Sequence, residues 1–344
     1  MFHEAYAFFT RTSRRMVAHF ADYAGWVRER YLGTDDPLVV EIGCNDGAML
    51  ENFTKRGIRH LGIEPSANVA AEAARHGIRT DVSFFDLATA RRVREQDGAA
   101  KAIIAANVIC HIPDLNEVAR GVAHLLADDG VFVFEEPYLG SMIEKGSYDQ
   151  IYDEHVFIFS AGSVQNAFRP HGLELVDALS QTTHGGSMRY VLAKTGTRNV
   201  APSVTQTIAK EKEQGLDRAE TYETFRSRCE RSREALVDLI RGLRAQGRRV
   251  VGYGATSKST TVLNYCGFGS QDIEFISDTT PVKQNKYTPG THIPVLRYET
   301  FLENYPDYAV LFAWNHEAEI LEKEKGFAVA GGKWIKFVPE VRIA

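Results

Sequence analysis

The sequence predicts an α/β protein with a Rossmann-like, doubly wound sheet, followed by a second, smaller α/β domain. Strand and helix signals alternate from residue 37 to about residue 194, and a strand–glycine–helix pattern occurs both at residues 39–50 and at 249–259. The predicted parts are an N-terminal helical segment (1–36), a first α/β domain (37–197), a helical connector (198–247) and a second α/β domain (248–344).

The N-terminal segment is rich in aromatic residues, which is typical of an amphipathic helix packed on the domain that follows. Thr12 and Ser13 are suitable caps for a helix that begins near Arg14. Tyr6 precedes this cap, in a possible loop.

The first glycine turn (residues 43–47) follows an apolar run that contains Glu41, and residues 48–50 are predicted to begin a helix. Its pattern is G-x-x-x-G, from Gly43 to Gly47. Asn45 stands where a dinucleotide site needs a second glycine for close approach of the pyrophosphate. A nucleoside cofactor without phosphates therefore fits better, and S-adenosylmethionine (AdoMet) is the one this pattern favours.

Glu64 ends a short strand at residues 59–64, about 20 residues after the first glycine turn, the spacing expected of a ribose-binding acid. A glycine turn alone is also compatible with plain α/β architecture. The turn together with the spaced acid favours cofactor binding. A further helix is predicted to start at Pro65 and Ser66.

The remaining elements follow from apolar patterning. In the first domain, strands are predicted at 101–107, 130–134, 173–176 and 188–193, with a helix at 115–126. In the second domain, strands are predicted at 273–278, 308–314 and 333–338, after a highly charged helical region at 199–247.

The second glycine turn (residues 252–256) precedes a Lys-Ser pair, which suggests a P-loop. That motif requires a glycine before the lysine, and Ser257 precedes Lys258, so an NTPase is excluded. Glycines at a helix N-terminus also suit a phosphate, so a structural turn and a phosphate cradle both remain open.

Three groups of residues have side chains suited to proton transfer or anion binding. His111 follows the strand that ends in Asn107, and residues 148–155 contain Tyr152, Glu154 and His155. An imidazole that titrates near neutrality can remove a proton from carbon beside a carbonyl. The alternative for each histidine is an ordinary loop residue with a satisfied ring. Residues 184–189 form the third group, in which Arg189 could contact phosphate, although a hairpin entry is the simpler account.

Bulk properties exclude several classes of protein. The net charge is −5 over 344 residues, which gives no electrostatic argument for nucleic-acid binding. No apolar run approaches the ~20 residues needed to span a bilayer, and the N-terminus lacks a signal-peptide pattern. With neither a membrane span nor a signal peptide expected, a cytoplasmic location is the default. The four cysteines are far apart and lack zinc-ligand spacing, so we expect no metal. Cys44, Cys110 and Cys266 lie beside apolar strands or helices and are expected to be small buried residues.

Several motifs together resemble the nucleotide-sugar C-methyltransferases of deoxysugar and antibiotic biosynthesis, throughout essentially the whole chain. They are Glu-Ile-Gly-Cys-Asn-Asp-Gly (41–47), Ile-Cys-His-Ile-Pro (109–113), Tyr-Asp-Glu-His (152–155), His-Gly-Gly-Ser-Met-Arg (184–189), Gly-Tyr-Gly-Ala-Thr-Ser-Lys-Ser (252–259) and Ala-Trp-Asn-His (313–316). The resemblance implies a class I AdoMet-dependent methyltransferase fold.

The implied reaction is methyl transfer from AdoMet to carbon, commonly C-3, of a dTDP-linked 4-keto-deoxysugar, with S-adenosylhomocysteine as product. His155 would be the general base, and the sugar pocket would be lined by Tyr152, Glu154, His111 and Tyr6. The resemblance places Glu64 at the AdoMet ribose, Phe85 by the adenine, and Gly43 and Asn107 around the pocket; with Glu41 and Asn45 these complete the expected cofactor site. Nucleotide contacts are expected from His184, Arg189, Tyr253, Lys258 and Asn315.

One departure from the family pattern concerns the N-terminus. Members usually carry a four-cysteine zinc module before the aromatic segment, and this sequence starts at Met1, where that module would have ended. Zinc is therefore not expected, and no protein partner is implied. The alternative function is O- or N-methylation of another small metabolite or nucleotide sugar. The sequence leaves open which sugar and carbon are used, whether C-3 carries an amino or a hydroxyl group, the oligomeric state, and whether the zinc module is naturally absent or was removed by truncation.

Overall fold

The structure is a computed structural model that describes residues 6, 8–33 and 36–344. Residues 1–5, 7 and 34–35 of the predicted N-terminal helical segment lie outside the described residues. The chain forms two compact units. The first unit comprises Met1–Tyr138, Val156–Thr182 and Gly186–Glu213, and the second comprises Leu139–His155, Thr183–Gly185 and Gln214–Ala344.

The first unit contains seven strands and seven α-helices in its described residues. The strands are β1 (Val39–Ile42), β2 (His60–Ile63), β3 (Thr80–Asp81), β4 (Ala100–Ala106), β5 (Leu126–Pro137), β6 (Leu173–Gln181) and β7 (Ser187–Lys194). The helices are α1 (Arg14–Val27), α2 (Glu51–Thr54), α3 (Ala67–Arg75), α4 (Leu87–Asp97), α5 (Leu115–Leu125), α7 (Ala161–Phe168) and α8 (Pro202–Glu213).

The sheet of the first unit has the order β3-β2-β1-β4-β5-β7-β6. Strands β1 to β5 pair in parallel, while β7 runs antiparallel to both β5 and β6. The chain therefore leaves β1 toward β2 and returns to β4 on its other side, which creates a switch point at the carboxyl ends of β1 and β4. The predicted doubly wound sheet is confirmed.

Both faces of this sheet are covered, which explains why β1 and β4 are almost continuously apolar. One apolar cluster contains Val40 and Ile103 with residues of α5 such as Val122. The other contains Val39 and Ile104 with residues of α1, among them Phe20. Helix α1 begins at Arg14 as predicted, because the Ser13 side chain accepts a hydrogen bond from the Met16 amide (3.3 Å).

One predicted boundary is wrong. Residues 48–50 form turns, and the helix after the first glycine turn is the short α2, which begins at Glu51. The amides of Gly47, Asn52 and Phe53 donate to the carbonyls of Cys44, Met49 and Leu50, each three residues earlier (2.9, 3.1 and 2.9 Å). This bonding pattern is tighter than that of an α-helix, so the backbone makes turns before the short α2 begins.

The second unit has its own sheet, in the order β10-β11-β9-β8-β12-β13-β14. Its strands are β8 (Val250–Tyr253), β9 (Ile276–Asp278), β10 (Lys286–Tyr287), β11 (Pro294–Arg297), β12 (Tyr308–Leu311), β13 (Lys333–Lys336) and β14 (Arg342–Ile343). Its helices are α6 (Leu139–Lys145), α9 (Ala219–Ala245), α10 (Ser257–Cys266), α11 (Tyr298–Glu303), α12 (Glu317–Lys323) and α13 (Lys325–Val329). The five central strands are parallel, and the two edge strands β10 and β14 are antiparallel.

The predicted second α/β domain is thus present, with three strands (β10, β11 and β14) that the sequence did not reveal. The predicted helical connector corresponds to α8 and α9. Cys44, Cys110 and Cys266 are buried as predicted, Cys229 is buried as well, and the four cysteines form no disulfide with one another. Among the helices that the structure describes, none combines the length and apolar character needed to cross a bilayer.

Candidate active site

The first glycine turn lies at the carboxyl edge of the first unit's sheet, beside the end of β4. Gly43 has a φ of +69°, and a Cβ built on it would lie 2.5 Å from Val108 Cγ2. No larger residue fits without displacement of the loop after β4. Asn107, at the end of that strand, has a φ of +55° and donates its amide to the Glu135 carbonyl (2.9 Å). These two predicted cofactor residues therefore frame one corner.

Glu64 closes this corner from the end of β2. Its Oε2 accepts the Asn45 amide (3.0 Å), its Oε1 accepts the Ser66 amide (2.9 Å), and the residue is 4% exposed. Burial raises the pKa of Glu64, and the hydrogen bonds from Ser66 and Asn45 offset this only in part. A carboxylate offers about four lone-pair sites, so two amides leave acceptor capacity for the hydroxyls of a ribose. Glu64 thus fits its predicted role.

Two further carboxylates are buried behind the turn. Glu41 is 3% exposed, and its Oε2 is a buried oxygen without a hydrogen-bond partner among the described residues. Burial raises its pKa strongly, and the charges of Asp46 and Glu64 add to the effect. Burial also raises the pKa of Asp46. The turn is therefore held by carboxylates whose ionised form is disfavoured.

The side chain of Asn45 holds an N-terminal strap (residues 8–12) on the turn. Its Nδ2 donates to the Phe8 carbonyl (3.1 Å), and its Oδ1 accepts the Thr10 amide (3.1 Å). Arg11 completes the attachment through its amide to Asp46 Oδ2 (2.8 Å) and its Nη1 to Glu51 Oε2 (2.7 Å). The Asn45 side chain is thus used within the fold, while its backbone amide orients Glu64.

Tyr6 and Phe85 lie at the margins of this region. The Tyr6 backbone exchanges two hydrogen bonds with the Asn68 side chain of α3 (3.2 and 2.8 Å). Phe85 is buried in the apolar cluster that includes α5, where a Cβ on Gly121 would lie 3.0 Å from its ring. Phe85 is therefore a core residue, whatever else it contacts.

Glu136 is a residue that sequence reasoning did not assign to the site. It is fully buried, and its Oε1 accepts the amides of Val108 (3.0 Å), Ile109 (2.7 Å) and Cys110 (3.3 Å). These amides form the start of the short 3-10 turn Ile109–His111 that carries His111. The only sequence signal was a pair of acids at the end of a buried strand.

Arg189 does not have the environment of a phosphate ligand. It is 6% exposed, donates its Nε to Glu135 Oε1 (2.6 Å), and stacks its guanidinium over the rings of Tyr23 (4.1 Å) and Trp26 (4.7 Å). His19 Nε2 lies 2.6 Å from the other oxygen of Glu135. The geometry gives Arg189 a structural role inside the first unit, in place of the predicted phosphate contact.

The second unit holds the Tyr152–Glu154–His155 group, in the loop after the 3-10 turn Tyr148–Gln150. His155 Nδ1 lies 2.8 Å from the Gln150 carbonyl oxygen, and its ring packs at a 32° tilt against the Tyr152 ring, with centroids 4.0 Å apart. A carbonyl only accepts, so Nδ1 carries the proton and Nε2 of the neutral ring carries the lone pair. Tyr152, Glu154 and His155 are all half-buried.

Lys258 lies in the first turn of α10, after the second glycine turn. It is 9% exposed, with Nζ 3.4 Å from the His184 carbonyl and 4.9 Å from the ring centre of Trp314. Burial lowers its pKa, and the nearby Asp149 opposes this. Asn315 follows Trp314 in the 3-10 turn Trp314–His316. Three predicted substrate residues (Lys258, His184 and Asn315) therefore cluster near Trp314.

Tyr253 lies in the second unit's core, in an apolar cluster against which Trp314 also packs. Its hydroxyl donates to Glu324 Oε1 (2.6 Å), which also accepts from Tyr298 (2.7 Å). Its ring packs edge-on against Phe301 and Trp334. The predicted nucleotide contact is not supported, because the hydroxyl is used by a buried carboxylate.

Comparison with known proteins places this site in context. A family model described as a methyltransferase domain matches residues 15–178, and one described as a C-methyltransferase C-terminal domain matches residues 182–339. The chain is 38% identical over 339 residues to the C-methyltransferase NovU of Streptomyces niveus. The alignment covers 98% of this chain and 81% of NovU.

More distant similarities involve the methyltransferase part. A ubiquinone biosynthesis O-methyltransferase of Cupriavidus pinatubonensis is 22% identical over 187 residues, 49% of this chain and 73% of that protein. The crystal structure of magnesium protoporphyrin IX methyltransferase from Synechocystis PCC 6803 with bound SAM aligns with a TM-score of 0.39 and 13% identity, over 52% of this chain and 79% of that one.

The relationship to NovU extends through both α/β units, and a C-methyltransferase family model matches the second of them. The protein is an enzyme, a methyltransferase whose methyl donor is AdoMet, and it belongs to the C-methyltransferase family that includes NovU.

Proposed function

We propose that this C-methyltransferase acts on a dTDP-linked 4-keto-deoxysugar and methylates C-3 through an enolate. The observation that carries the proposal is the 2.8 Å distance between His155 Nδ1 and the Gln150 carbonyl oxygen. The hydrogen bond from Nδ1 to the Gln150 carbonyl leaves the lone pair on Nε2, which is what a general base at neutral pH requires.

The proposed reaction begins with proton transfer to Nε2 of His155. The ketone at C-4 acidifies the hydrogen on C-3, and Nε2 of His155 takes this proton while the electron pair moves into an enolate. The enolate carbon then forms a bond to the methyl group as the bond from methyl to sulfur breaks, with S-adenosylhomocysteine as product. When bound, AdoMet supplies the electrophilic methyl group. Tyr152, Glu154, His111 and Tyr6 are the proposed donors and positioning groups for the sugar and its developing oxyanion.

The proposed cofactor site consists of the first glycine turn, Glu64 and Asn107. The space that a Cβ at Gly43 would fill and the remaining acceptor capacity of Glu64 fit a nucleoside. Glu41 is buried behind the turn, and Asn45 contributes through the hydrogen bond from its backbone amide to Glu64. For the nucleotide part of the substrate, Lys258 is the proposed cationic contact, with His184 and Asn315 beside it.

Replacement of the base tests this proposal. His155→Ala should lose at least about a hundredfold in kcat, the usual scale for general-base removal, since no imidazole would accept the C-3 proton. The AdoMet dissociation constant, measured by calorimetry, should stay within about twofold of wild type. A variant that retains full turnover would show that His155 is not the base.

Hydrogen exchange distinguishes carbon from oxygen or nitrogen methylation. With S-adenosylhomocysteine in place of AdoMet, the enzyme in deuterated water should exchange the C-3 hydrogen of the keto sugar, and His155→Ala should not. Methylation of a sugar that lacks the ketone, without exchange, would favour O- or N-methyl transfer.

A further inference from the structure

The acceptor that fixes the tautomer of His155 belongs to a buried segment. In the 3-10 turn Tyr148–Gln150, every residue is at most 4% exposed. The Gln150 carbonyl oxygen lies 2.8 Å from His155 Nδ1, five residues further along the chain. The orientation of the imidazole therefore depends on the orientation of one peptide group.

That peptide group is anchored on both sides. The residue before it, Asp149, accepts a hydrogen bond at Oδ2 from the indole Nε1 of Trp314 (2.6 Å). The residue after it, Ile151, accepts one at its carbonyl from Thr261 Oγ1 of α10 (3.2 Å). The Gln150 side chain itself donates to Ser147 Oγ (2.8 Å). Two other elements of the second unit, the 3-10 turn that carries Trp314 and helix α10, thus hold the segment, and the adjacent Ser147 holds the Gln150 side chain.

The burial of the Asp149 carboxyl group lowers the stability of the fold. The residue is fully buried, and its Oδ1 is without a hydrogen-bond partner among the described residues. Burial raises the pKa of this carboxyl group, with partial compensation from the Lys258 charge and the Trp314 hydrogen bond. An apolar side chain of similar size would fill the space at lower cost, so stability alone does not explain a carboxylate here.

We infer that Trp314, Asp149 and Thr261 are positioning residues for the imidazole, because they fix the Gln150 carbonyl that holds His155 in the Nδ1–H form. The inference rests on the proposed role of His155. It assigns the Ala-Trp-Asn-His segment a function in catalysis that is separate from any contact with the nucleotide.

The test combines a spectroscopic signature with kinetics. Trp314→Phe keeps an aromatic ring and removes the indole donor, and Thr261→Val removes the hydroxyl at constant size. Ring ¹⁵N chemical shifts of His155, assigned by comparison with His155→Ala, report the tautomer directly. We expect the Nδ1–H form to dominate in the wild type and to lose population in both variants. We also expect kcat to fall about tenfold or more with little change in the KM for AdoMet.

Two controls separate positioning from general loss of stability. Tyr298→Phe removes a hydroxyl bond to buried Glu324 in the same unit and should leave the His155 shifts and kcat unchanged. Asp149→Asn keeps an acceptor for the indole and should retain more activity than Asp149→Ala.

Wild-type His155 shifts and wild-type kcat in both Trp314→Phe and Thr261→Val would overturn the inference. The proposed function would then still stand if His155→Ala is inactive. Conversely, an active His155→Ala would remove the base assignment, and the tautomer shifts would still show whether the anchors hold the ring.

Discussion

At the scale of single residues, the unusual feature of the first glycine turn is the number of acids beneath it. Glu41, Asp46 and Glu64 are all buried, and burial raises the pKa of each. The pKa of Glu51, the first residue of α2, shifts in the opposite direction. Burial favours a higher pKa there, but the hydrogen bonds from Arg11 and Lys55 outweigh it and lower the pKa.

These opposite shifts predict opposite effects on stability. The folded protein holds the Glu41 proton to higher pH than the unfolded chain does, so ionisation of this group destabilises the fold as pH rises above the ordinary carboxyl value of about 4.3. We expect Glu41→Gln to lose less of its free energy of unfolding than wild type between about pH 5 and pH 8. Urea denaturation of the AdoMet-free enzyme measures this.

The matched control is Glu51→Gln. Its carboxylate contributes stability above its unfolded pKa that is lost on acidification, so the variant should differ from wild type mainly by a shallower loss below about pH 4.3. A Glu41→Gln protein with the pH dependence of wild type would show that Glu41 is ionised normally in the fold.

The residue scale also shows what the sequence could predict. Glu64 was predictable because strand, turn and acid are close in sequence and their spacing follows from the fold. Arg189 and Tyr253 were not, because their partners Glu135 and Glu324 are 54 and 71 residues away. Arg189 and Tyr253 are buried by partners distant in sequence, so these two predicted nucleotide contacts have structural roles instead.

At the scale of elements, the first glycine turn depends on glycine for two separable reasons. Gly43 and Gly57 have nearly the same positive φ, +69° and +68°, but only Gly43 has a neighbour where its Cβ would lie. We expect Gly57→Ala to lower the free energy of unfolding by about 1–2 kcal/mol from backbone strain. Gly43→Ala should cost a further 1–3 kcal/mol or so, because Val108 must move.

Urea denaturation gives both values, and calorimetry should show weaker AdoMet binding for Gly43→Ala alone. Equal losses of stability in the two variants, with unchanged AdoMet affinity, would contradict the role given to the space beside Val108.

The N-terminal strap is an element that local sequence patterns did not reveal. Its contacts with Asn45 and Asp46 are hydrogen bonds to side chains 35 or more residues away. A pattern of helix and strand periodicity contains no information about such contacts.

The contacts of Arg11 in the strap predict that Arg11→Ala loosens the strap locally. Removal of a half-exposed ion pair should cost less than about 1 kcal/mol in global stability. The amides of Thr10 and Arg11 should exchange with deuterium several-fold faster, because local opening becomes easier. Arg56→Ala, which removes a bond to the Asn52 carbonyl instead, is the control and should leave these amides unchanged. Unchanged exchange in Arg11→Ala would show that its side chain does not hold the strap.

At the scale of the whole molecule, both predicted α/β parts are present, each with a mainly parallel sheet. Alternating periodicity predicted this because parallel strands need helical crossovers. The unit to which residues 139–155 belong could not be predicted from this periodicity. The sequence pattern predicts that they belong to a domain spanning 37–197, whereas their contacts group them with the second unit.

This grouping has a consequence for function. His155 and its anchors Trp314 and Thr261 belong to the second unit, whereas the first glycine turn and Glu64 belong to the first. The proposed reaction therefore assigns base and cofactor to different compact units of one chain. The motifs between residues 37 and 197 predict a single methyltransferase domain and do not indicate that base and cofactor residues belong to different units.

The central claim is carbon methylation of a keto sugar, and product analysis tests it most directly. The enzyme is incubated with AdoMet labelled with ¹³C in its methyl group and with a panel of dTDP-linked 4-keto-deoxysugars. We predict that one sugar gains the mass of a single methylene group, with the ¹³C signal at a shift typical of methyl on carbon C-3. A label found on oxygen or nitrogen, or no transfer to any ketone in the panel, would contradict the account.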